Sequence, residues 1–226
     1  MSSPITGFTQ DQRLISIRTP LGDDTLLLAG LTGHEAISSP FHFSLELLST
    51  RDKSITFTDL IGKAVTITIR SADGEPRHVN GIVSAFSQAG VDEFFVTYRA
   101  EVVPKLALLT QRTNFLIFQN KSVDQVIEAV LKDAGIADYT LKLSGTYAPL
   151  DYCVQYHESD FAFVSRLMEE YGIFYYFEHD KTAHTLVLAD QASVHQPCPL
   201  QSQATYQTTT GGALDEDVVT GWELRQ

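Results

Sequence analysis

The residues of this chain that could do chemistry are concentrated in the stretch YCVQYHESDFAFVSRLMEEYGIFYYFEHD at positions 152–180. Cys153 and His157 could form a nucleophile pair, but residues four apart on a strand lie about 13 Å from each other, beyond hydrogen-bond reach. His157-Glu158 begins a zinc-protease motif whose second histidine would stand at position 161, which is Phe161 here. Neither arrangement predicts a catalytic site, and a buried strand cysteine is favoured.

Four residues later in the chain are of the types that bind zinc: His179, His184, His195 and Cys198. Their spacing matches no recurrent pattern of zinc ligands. We therefore interpret the histidines as surface residues of a hairpin and predict no metal site.

The aromatic run at 171–177 could form a platform on which a ligand stacks. Alternation along a strand places one set of side chains on each side. These sets are Ile173, Tyr175 and Phe177, and Phe174 and Tyr176. Because both sides are aromatic, we expect both to be covered by the core or by another subunit, and core packing is favoured.

Two acidic groups have ordinary explanations. Glu169 and Glu170 stand near a helix end, where carboxylates oppose the helix dipole, and a solvated face is favoured over an interface. The segment 215–217 (Asp215, Glu216, Asp217) is interpreted as a solvated loop.

Motifs for a nucleophile elbow, a phosphate-binding loop and a dinucleotide fold are absent from the sequence. We predict no catalytic, cofactor-binding or metal-binding residue, and therefore no enzyme.

The formal net charge is −12, from 16 Lys and Arg against 28 Asp and Glu. This balance argues against nucleic acid or an anionic membrane as a partner. The N-terminus MSSPITGFTQDQ has no signal-peptide pattern, and apolar runs are far shorter than the roughly 20 residues of a spanning helix. Cys153 and Cys198 could form one disulfide, but two free thiols are preferred, so we expect synthesis in a reducing cytoplasm and any export without a cleaved signal.

The elements that position these residues change along the chain. Residues 13–103 alternate with period two, as in FHFSLELLS, where Phe41, Phe43, Leu45 and Leu47 share a face. Turn signals between such segments predict an antiparallel sandwich or barrel.

Two helices follow, at about 122–134 and 160–171. Ser122 and Gln125 form a capping box and Gly135 ends the first helix; Ser159 caps the second. The second helix is predicted to bury a stripe that includes Phe161. We therefore predict that residues 111–190 form an α+β unit. A final strand-like run without a successor suggests a truncated C-terminus.

The long stretch quoted above, followed by HTLVLAD, resembles the signature of the VgrG (valine-glycine repeat) spike family of type VI secretion systems. The same resemblance extends to SSPFHFSLELLS, NGIVSAF, VVPKLALLTQRTNFLIFQNKSVDQVIEAVL and DVVTGWELRQ. It covers the chain from about residue 12 onward.

The resemblance implies a hub fold like that of contractile phage tails: a tube-like β-barrel at 12–110, a mixed α+β insertion domain at 111–200, and the start of a second barrel at 201–226. It also implies a structural spike that forms a homotrimer at full length, caps the Hcp tube, and helps to puncture target membranes and deliver effectors. Effectors and a PAAR-repeat tip would bind parts missing here, and this fragment is a candidate monomer.

The implied location is the bacterial cytoplasm before firing, and then the extracellular space or a target cell, reached without a signal peptide. The alternative that the residues leave open is a stand-alone binding module or small hydrolase that uses the aromatic and histidine hairpin.

Overall fold

The computed structural model describes residues 7–70, 75–197, 202–207, 218–219 and 221–223. The described residues up to Gln191 form one unit, and those from Ala192 onward form a second. Strands predominate in the first unit, with two α-helices in its later part. The prediction of a mainly antiparallel β-protein with a smaller helical part is confirmed at that level.

The first six strands form one antiparallel sheet. They are β1 (Ile15–Arg18), β2 (Leu27–Ala36), β3 (Ser39–Thr50), β4 (Ala64–Ile69), β5 (Arg77–Val91) and β6 (Phe95–Val103). Their order across the sheet is β1-β4-β5-β6-β3-β2, so β1 and β2 are its edges. Register shifts interrupt the β2–β3 and β5–β6 pairs, and such irregularities bend strands and increase their twist.

Alternation along these strands builds the core of the sheet. Phe41, Phe43, Leu45 and Leu47 on β3 are all buried, which confirms the predicted inward face. They pack with apolar side chains of the other five strands in one cluster. Each fully buried side chain of this size contributes about 1.5–3 kcal/mol to folding relative to exposure.

A single buried side chain connects the two edges of the sheet. Gln10 Nε2 donates to the carbonyl oxygens of Ile17 on β1 and Leu26 just before β2, each at 3.1 Å. Gln10 Oε1 accepts from the N–H groups of Ile17 and Leu28, each at 3.0 Å. The amide therefore satisfies backbone groups of both edge strands, where a neighbouring strand would otherwise be needed.

The α+β part follows a short 3-10 helix at Lys105–Gln111. Its elements are β7 (Thr113–Phe118), α1 (Val123–Asp133), β8 (Tyr139–Lys142), β9 (Cys153–Ser159), α2 (Asp160–Glu170), β10 (Phe174–His179) and β11 (His184–Ala189). Strands β10 and β11 form an antiparallel hairpin, and β8 pairs with β11 in parallel. Strands β7 and β9 form a separate antiparallel pair.

The helix ends follow the sequence signals. Ser122 begins α1 with a capping box, in which its N–H donates to Gln125 Oε1 at 3.2 Å. Gly135, with φ of 73°, follows the end of α1. The Ser159 hydroxyl accepts from the Ala162 N–H at 3.1 Å and caps α2. Each of these caps is worth about 1 kcal/mol.

The predicted apolar stripe of α2 needs one correction. Phe163 is fully buried, whereas Phe161 is only half-buried at the margin of the same cluster. Phe163 lies against β7, where its ring stacks on Phe118 with centroids 5.8 Å apart. The helix is therefore rotated toward the β7–β9 pair, a packing partner that the period of the helix cannot specify.

The second unit contains two short described strands, β12 (Thr205–Tyr206) and β13 (Val218–Val219), which pair in parallel. The predicted boundaries 12–110, 111–200 and 201–226 stay predictions.

Candidate functional site

The side of the β7–β9 pair that points away from α2 carries a group of exposed apolar side chains. We call it the outer face, and it consists of Phe115, Ile117, Tyr152, Val154 and Tyr156, which are 43–76% exposed. Monomeric proteins rarely leave a contiguous group of this kind uncovered, and aromatic side chains are enriched where proteins meet.

Strand pairing brings these side chains together. Phe115 is opposite Tyr156, and Ile117 is opposite Val154. The rings of Phe115 and Tyr156 meet edge to face with centroids 5.5 Å apart. The outer face is therefore an ordered surface rather than a set of isolated exposed residues.

A bulge adds a histidine to this surface. The register shifts between Asn114 and Phe115, which leaves His157 as an additional residue on β9. Its φ of 49° is left-handed, a conformation that a histidine adopts more often than most residues. Simple alternation would turn the ring toward α2, but the bulge places it on Phe115, stacked with centroids 5.3 Å apart.

The opposite side of the pair is fixed by a buried carboxylate. Asp160, at 1% exposure, accepts from Asn114 Nδ2 and Gln155 Nε2, each at 2.8 Å, and lies 3.0 Å from Arg112 Nε. The Asp160 N–H also donates to the Arg112 carbonyl at 2.8 Å. The sequence alone does not reveal this network, because Arg112 and Asn114 come from a distant part of the chain.

Charged groups lie at the border of the outer face. Strand β7 has no charged residue, and on β9 only Glu158 is charged. Glu158 binds the Arg166 guanidinium, with the closest contact at 2.7 Å, and Arg166 also donates to the Val154 carbonyl at 2.9 Å. A chain with a net charge of −12 thus presents an uncharged apolar face here.

Cys153 lies on the inner side of β9 as a free, buried thiol, which confirms the prediction of a buried strand cysteine. Burial raises the pKa of its thiol, an effect that the nearby Arg166 opposes. A raised pKa disfavours the thiolate, the form that attacks a substrate or binds a metal.

The aromatic hairpin β10–β11 contacts the six-stranded sheet. Phe177 packs against the cores of both the sheet and the α+β part, and Tyr175 is fully buried. The prediction that His179 and His184 are surface residues is wrong: their side chains lie between the hairpin and the sheet, facing Phe41. The favoured core packing is confirmed for Tyr175.

The remaining candidates have the following positions. Glu169 and Glu170 are exposed, as the solvated-face interpretation expected. His179, His184 and His195 belong to no metal-like cluster of three or more ligands within the described part of the chain. Cys198 and the segment 215–217 lie outside the described residues. None of the described helices is long and apolar enough to cross a membrane.

Comparison with solved structures places the fold among phage-tail-like proteins. The E. coli c3393 protein matches with a TM-score of 0.69 and 24% identity, over 80% of this chain and 51% of that one. It is described as a component of the type VI secretion system with structural similarity to the T4 bacteriophage tail proteins gp27 and gp5.

Residues 34–226 match the phage tail baseplate hub (GPD) family. The chain belongs to this family. It is 37% identical over 215 residues to the type VI secretion system spike protein VgrG1b of Pseudomonas aeruginosa, covering 95% of this chain and 29% of that protein. It is also 31% identical to the actin cross-linking toxin VgrG1 of Vibrio cholerae, covering 91% of this chain and 19% of the toxin.

The resemblance to VgrG spike proteins is thereby confirmed. The chain spans 29% and 19% of the length of these two relatives. The Pseudomonas relative is named a spike protein, and the Vibrio relative is named a toxin.

Proposed function

We propose that this chain is the hub part of a homotrimeric type VI secretion spike, with a structural role and no catalytic step of its own. The family match and the VgrG relatives support this role. The outer face of β7–β9 supports assembly into a trimer, because its apolar side chains are exposed in a chain that is otherwise strongly acidic.

The occupant that we assign to the outer face is a second copy of this chain. Copies with a charge of −12 each repel one another wherever carboxylates face carboxylates. They can approach most closely where both surfaces lack charge, and β7 contributes no charged side chain. In a cyclic trimer the outer face of each copy would lie against a different surface of the next copy, and this contact would repeat around the ring.

The wider assembly extends this proposal. The sheet whose edges meet at Gln10 would be a tube-like barrel at 12–110, with an α+β insertion at 111–200 and a second barrel that starts at 201–226. Three copies would form a ring with pseudo-six-fold symmetry that caps the Hcp tube. The spike would wait in the bacterial cytoplasm and leave on firing to puncture a target and deliver effectors, with effectors and the tip protein bound elsewhere.

The test uses a fusion that holds three copies of the chain together. A trimeric coiled coil is fused after Gln226, and a monomeric helix is fused to a matched control. A soluble paramagnetic agent then reports the solvent exposure of the Ile117 and Val154 methyl groups by NMR. We expect the trimeric fusion to reduce the relaxation enhancement of both groups by at least half, because linkage raises the effective concentration of the other copies.

Leu14, exposed and outside the outer face, is the internal reference and should keep its enhancement. The substitution Tyr156→Asp in the trimeric fusion should restore exposure of Ile117. Equal enhancement of Ile117 in the trimeric and monomeric fusions would contradict the contact between copies. Turnover of substrates in a broad hydrolase screen that persists through repeated purification would contradict the structural role.

A further inference from the structure

Two imidazole rings of the hairpin β10–β11 accept hydrogen bonds from the backbone outside the hairpin, one from β5 of the six-stranded sheet and one from the start of the 3-10 helix that follows β6. The N–H of Asn80 donates to His179 Nδ1 at 3.0 Å, and the N–H of Lys105 donates to His184 Nε2 at 3.2 Å. A backbone N–H can only donate, so each of these ring nitrogens must be unprotonated. Both contacts therefore require neutral histidines.

The rings lie in a largely buried site. Their centroids are 6.0 Å apart, and they lie 5.2 and 5.6 Å from the ring of Phe41. His184 is 6% exposed, and its ring also contacts Phe177. Two positive charges at this separation, against two phenyl rings, would repel each other with little solvent to screen them.

The charged groups near His179 do little to stabilise its protonated form. Burial lowers the pKa of His179. Glu35 on β2 raises it, with its carboxylate 3.9 Å from Nε2, but Arg77 on β5 binds that carboxylate and lowers the pKa. Asp180 raises the pKa weakly and is itself used to accept hydrogen bonds within its own turn.

The groups that face His184 act in the same direction. Burial lowers its pKa from 6.5 to about 4, and His179 and Lys105 lower it further. Asp138 and a hydrogen bond to the Asn80 backbone oppose the shift. His184 is thus held neutral through the range in which a free histidine becomes charged.

We propose that these contacts form a proton-operated joint: when His179 and His184 take up protons, the hairpin detaches from the six-stranded sheet while both parts stay folded. The sheet and the α+β part have separate cores, and Phe177, partly buried, is the residue that both share among those the structure describes. Detachment breaks the contacts made by Asn80 on β5 and by Lys105 at the start of the 3-10 helix, together with the hydrogen bond from the Ser38 N–H to the Tyr175 carbonyl, without dividing either core.

The lowered pKa values of His179 and His184 determine how the stability of the joint depends on pH. Well above pH 6.5, the ordinary pKa of histidine, the rings are neutral in both the attached and the detached state, and the joint is fully stable. As the pH falls from about 6.5 to about 4, the detached state binds protons that the attached state excludes. For His184 alone, this shifts the equilibrium toward detachment by about 80-fold at pH 4.5. The shift approaches about 300-fold at pH values well below 4, where the ring is protonated in both states.

Hydrogen exchange of individual amides, corrected for the intrinsic rate at each pH, tests the joint in the 226-residue chain. The reporters are the N–H groups of Asn80 and Lys105, and Ile67 in the centre of β4 reports global unfolding. We expect the protection of both joint amides to fall at least 50-fold between pH 7.5 and 4.5, while Ile67 remains protected.

The double variant His179→Asn and His184→Gln keeps an acceptor oxygen near each lost ring nitrogen and cannot take up the protons. Its joint amides should show protection that changes less than fivefold with pH. His42→Gln, at an exposed position on β3, is the matched control and should behave as the unmodified chain.

Two results would overturn the joint. One is simultaneous loss of protection at Asn80, Lys105 and Ile67 in the unmodified chain, which indicates global unfolding. The other is titration of both imidazoles near pH 6.5, measured from their ring nitrogen shifts, with the joint amides still protected. The second measurement needs no variant and decides the question even where the double variant does not fold.

Discussion

The side-chain amide of Gln10 binds both backbone groups of Ile17, donating to its carbonyl at 3.1 Å and accepting from its N–H at 3.0 Å. A β-strand uses the same pair of groups to bind its neighbour. Because the same amide also binds Leu26 and Leu28, one residue replaces a strand contact between β1 and β2.

Gln10→Ala should destabilise the chain by about 2–4 kcal/mol, because buried N–H and carbonyl groups of both edge strands lose their partner. Urea unfolding measures the change. Gln12→Ala, at an exposed position two residues away, should stay within about 0.5 kcal/mol of the unmodified chain. Equal effects of the two substitutions would show that the amide does not hold the edges.

Gly81→Ala should destabilise the chain by about 2–4 kcal/mol or prevent folding, because the close backbone cannot move aside. Its Cβ would lie 2.6 Å from a Val102 methyl group and 2.8 Å from the Val103 carbonyl oxygen. Gly90→Ala, on the same strand with no atom within 4 Å of its Cβ, is the control. Thermal unfolding should show no loss of stability for Gly90→Ala, and a loss as large as that of Gly81→Ala would refute the steric explanation.

Two tyrosine substitutions should change stability in opposite directions. The Tyr175 hydroxyl is buried and has no hydrogen-bond partner among the described residues, and burial raises its pKa. Tyr175→Phe should therefore stabilise the chain by about 1 kcal/mol. The Tyr147 hydroxyl donates to Asp190 at 3.0 Å, so Tyr147→Phe should destabilise the chain by about 1 kcal/mol. Denaturant midpoints that move in the same direction would count against this account.

Asp160→Asn should destabilise the α+β part by about 1.5–3 kcal/mol, because Arg112 loses the charge of its buried partner. Hydrogen exchange of the β7 and β9 amides localises the effect. Glu169→Gln, an exposed carboxylate on the same helix, should leave those amides unchanged. Unchanged exchange in Asp160→Asn would mean that the charge is not needed there.

Local patterns were sufficient for much of the fold. Alternation identified the inward face of β3, and cap residues located the ends of both helices, because these features depend on neighbours in the chain. Asn80 and Gly81 lie within β5, although Asn-Gly commonly marks a turn. Here Asn80 donates to the carbonyls of Asp180 and Ala183, and Gly81 leaves room beside Val102.

The residues whose surroundings sequence reasoning missed depend on partners elsewhere in the chain. Asp160 is buried because Arg112, Asn114 and Gln155 converge on it, and His179 and His184 are buried because the sheet covers the hairpin. The outer face was missed for another reason. Alternation shows that Val154 and Tyr156 share a side of β9, but it cannot show that this side stays uncovered.

Asn80 and Ala183, which are in contact, are 103 residues apart in the chain, so the contact can form only some time after Asn80 has been synthesised. A ribosome adds about 5–20 residues per second, so the hairpin emerges roughly 5–20 s after Asn80. A β-sheet of this kind forms in milliseconds to seconds. The finished sheet therefore waits with Phe41 and Asn80 uncovered, and during this interval a nascent chain is most in need of a chaperone.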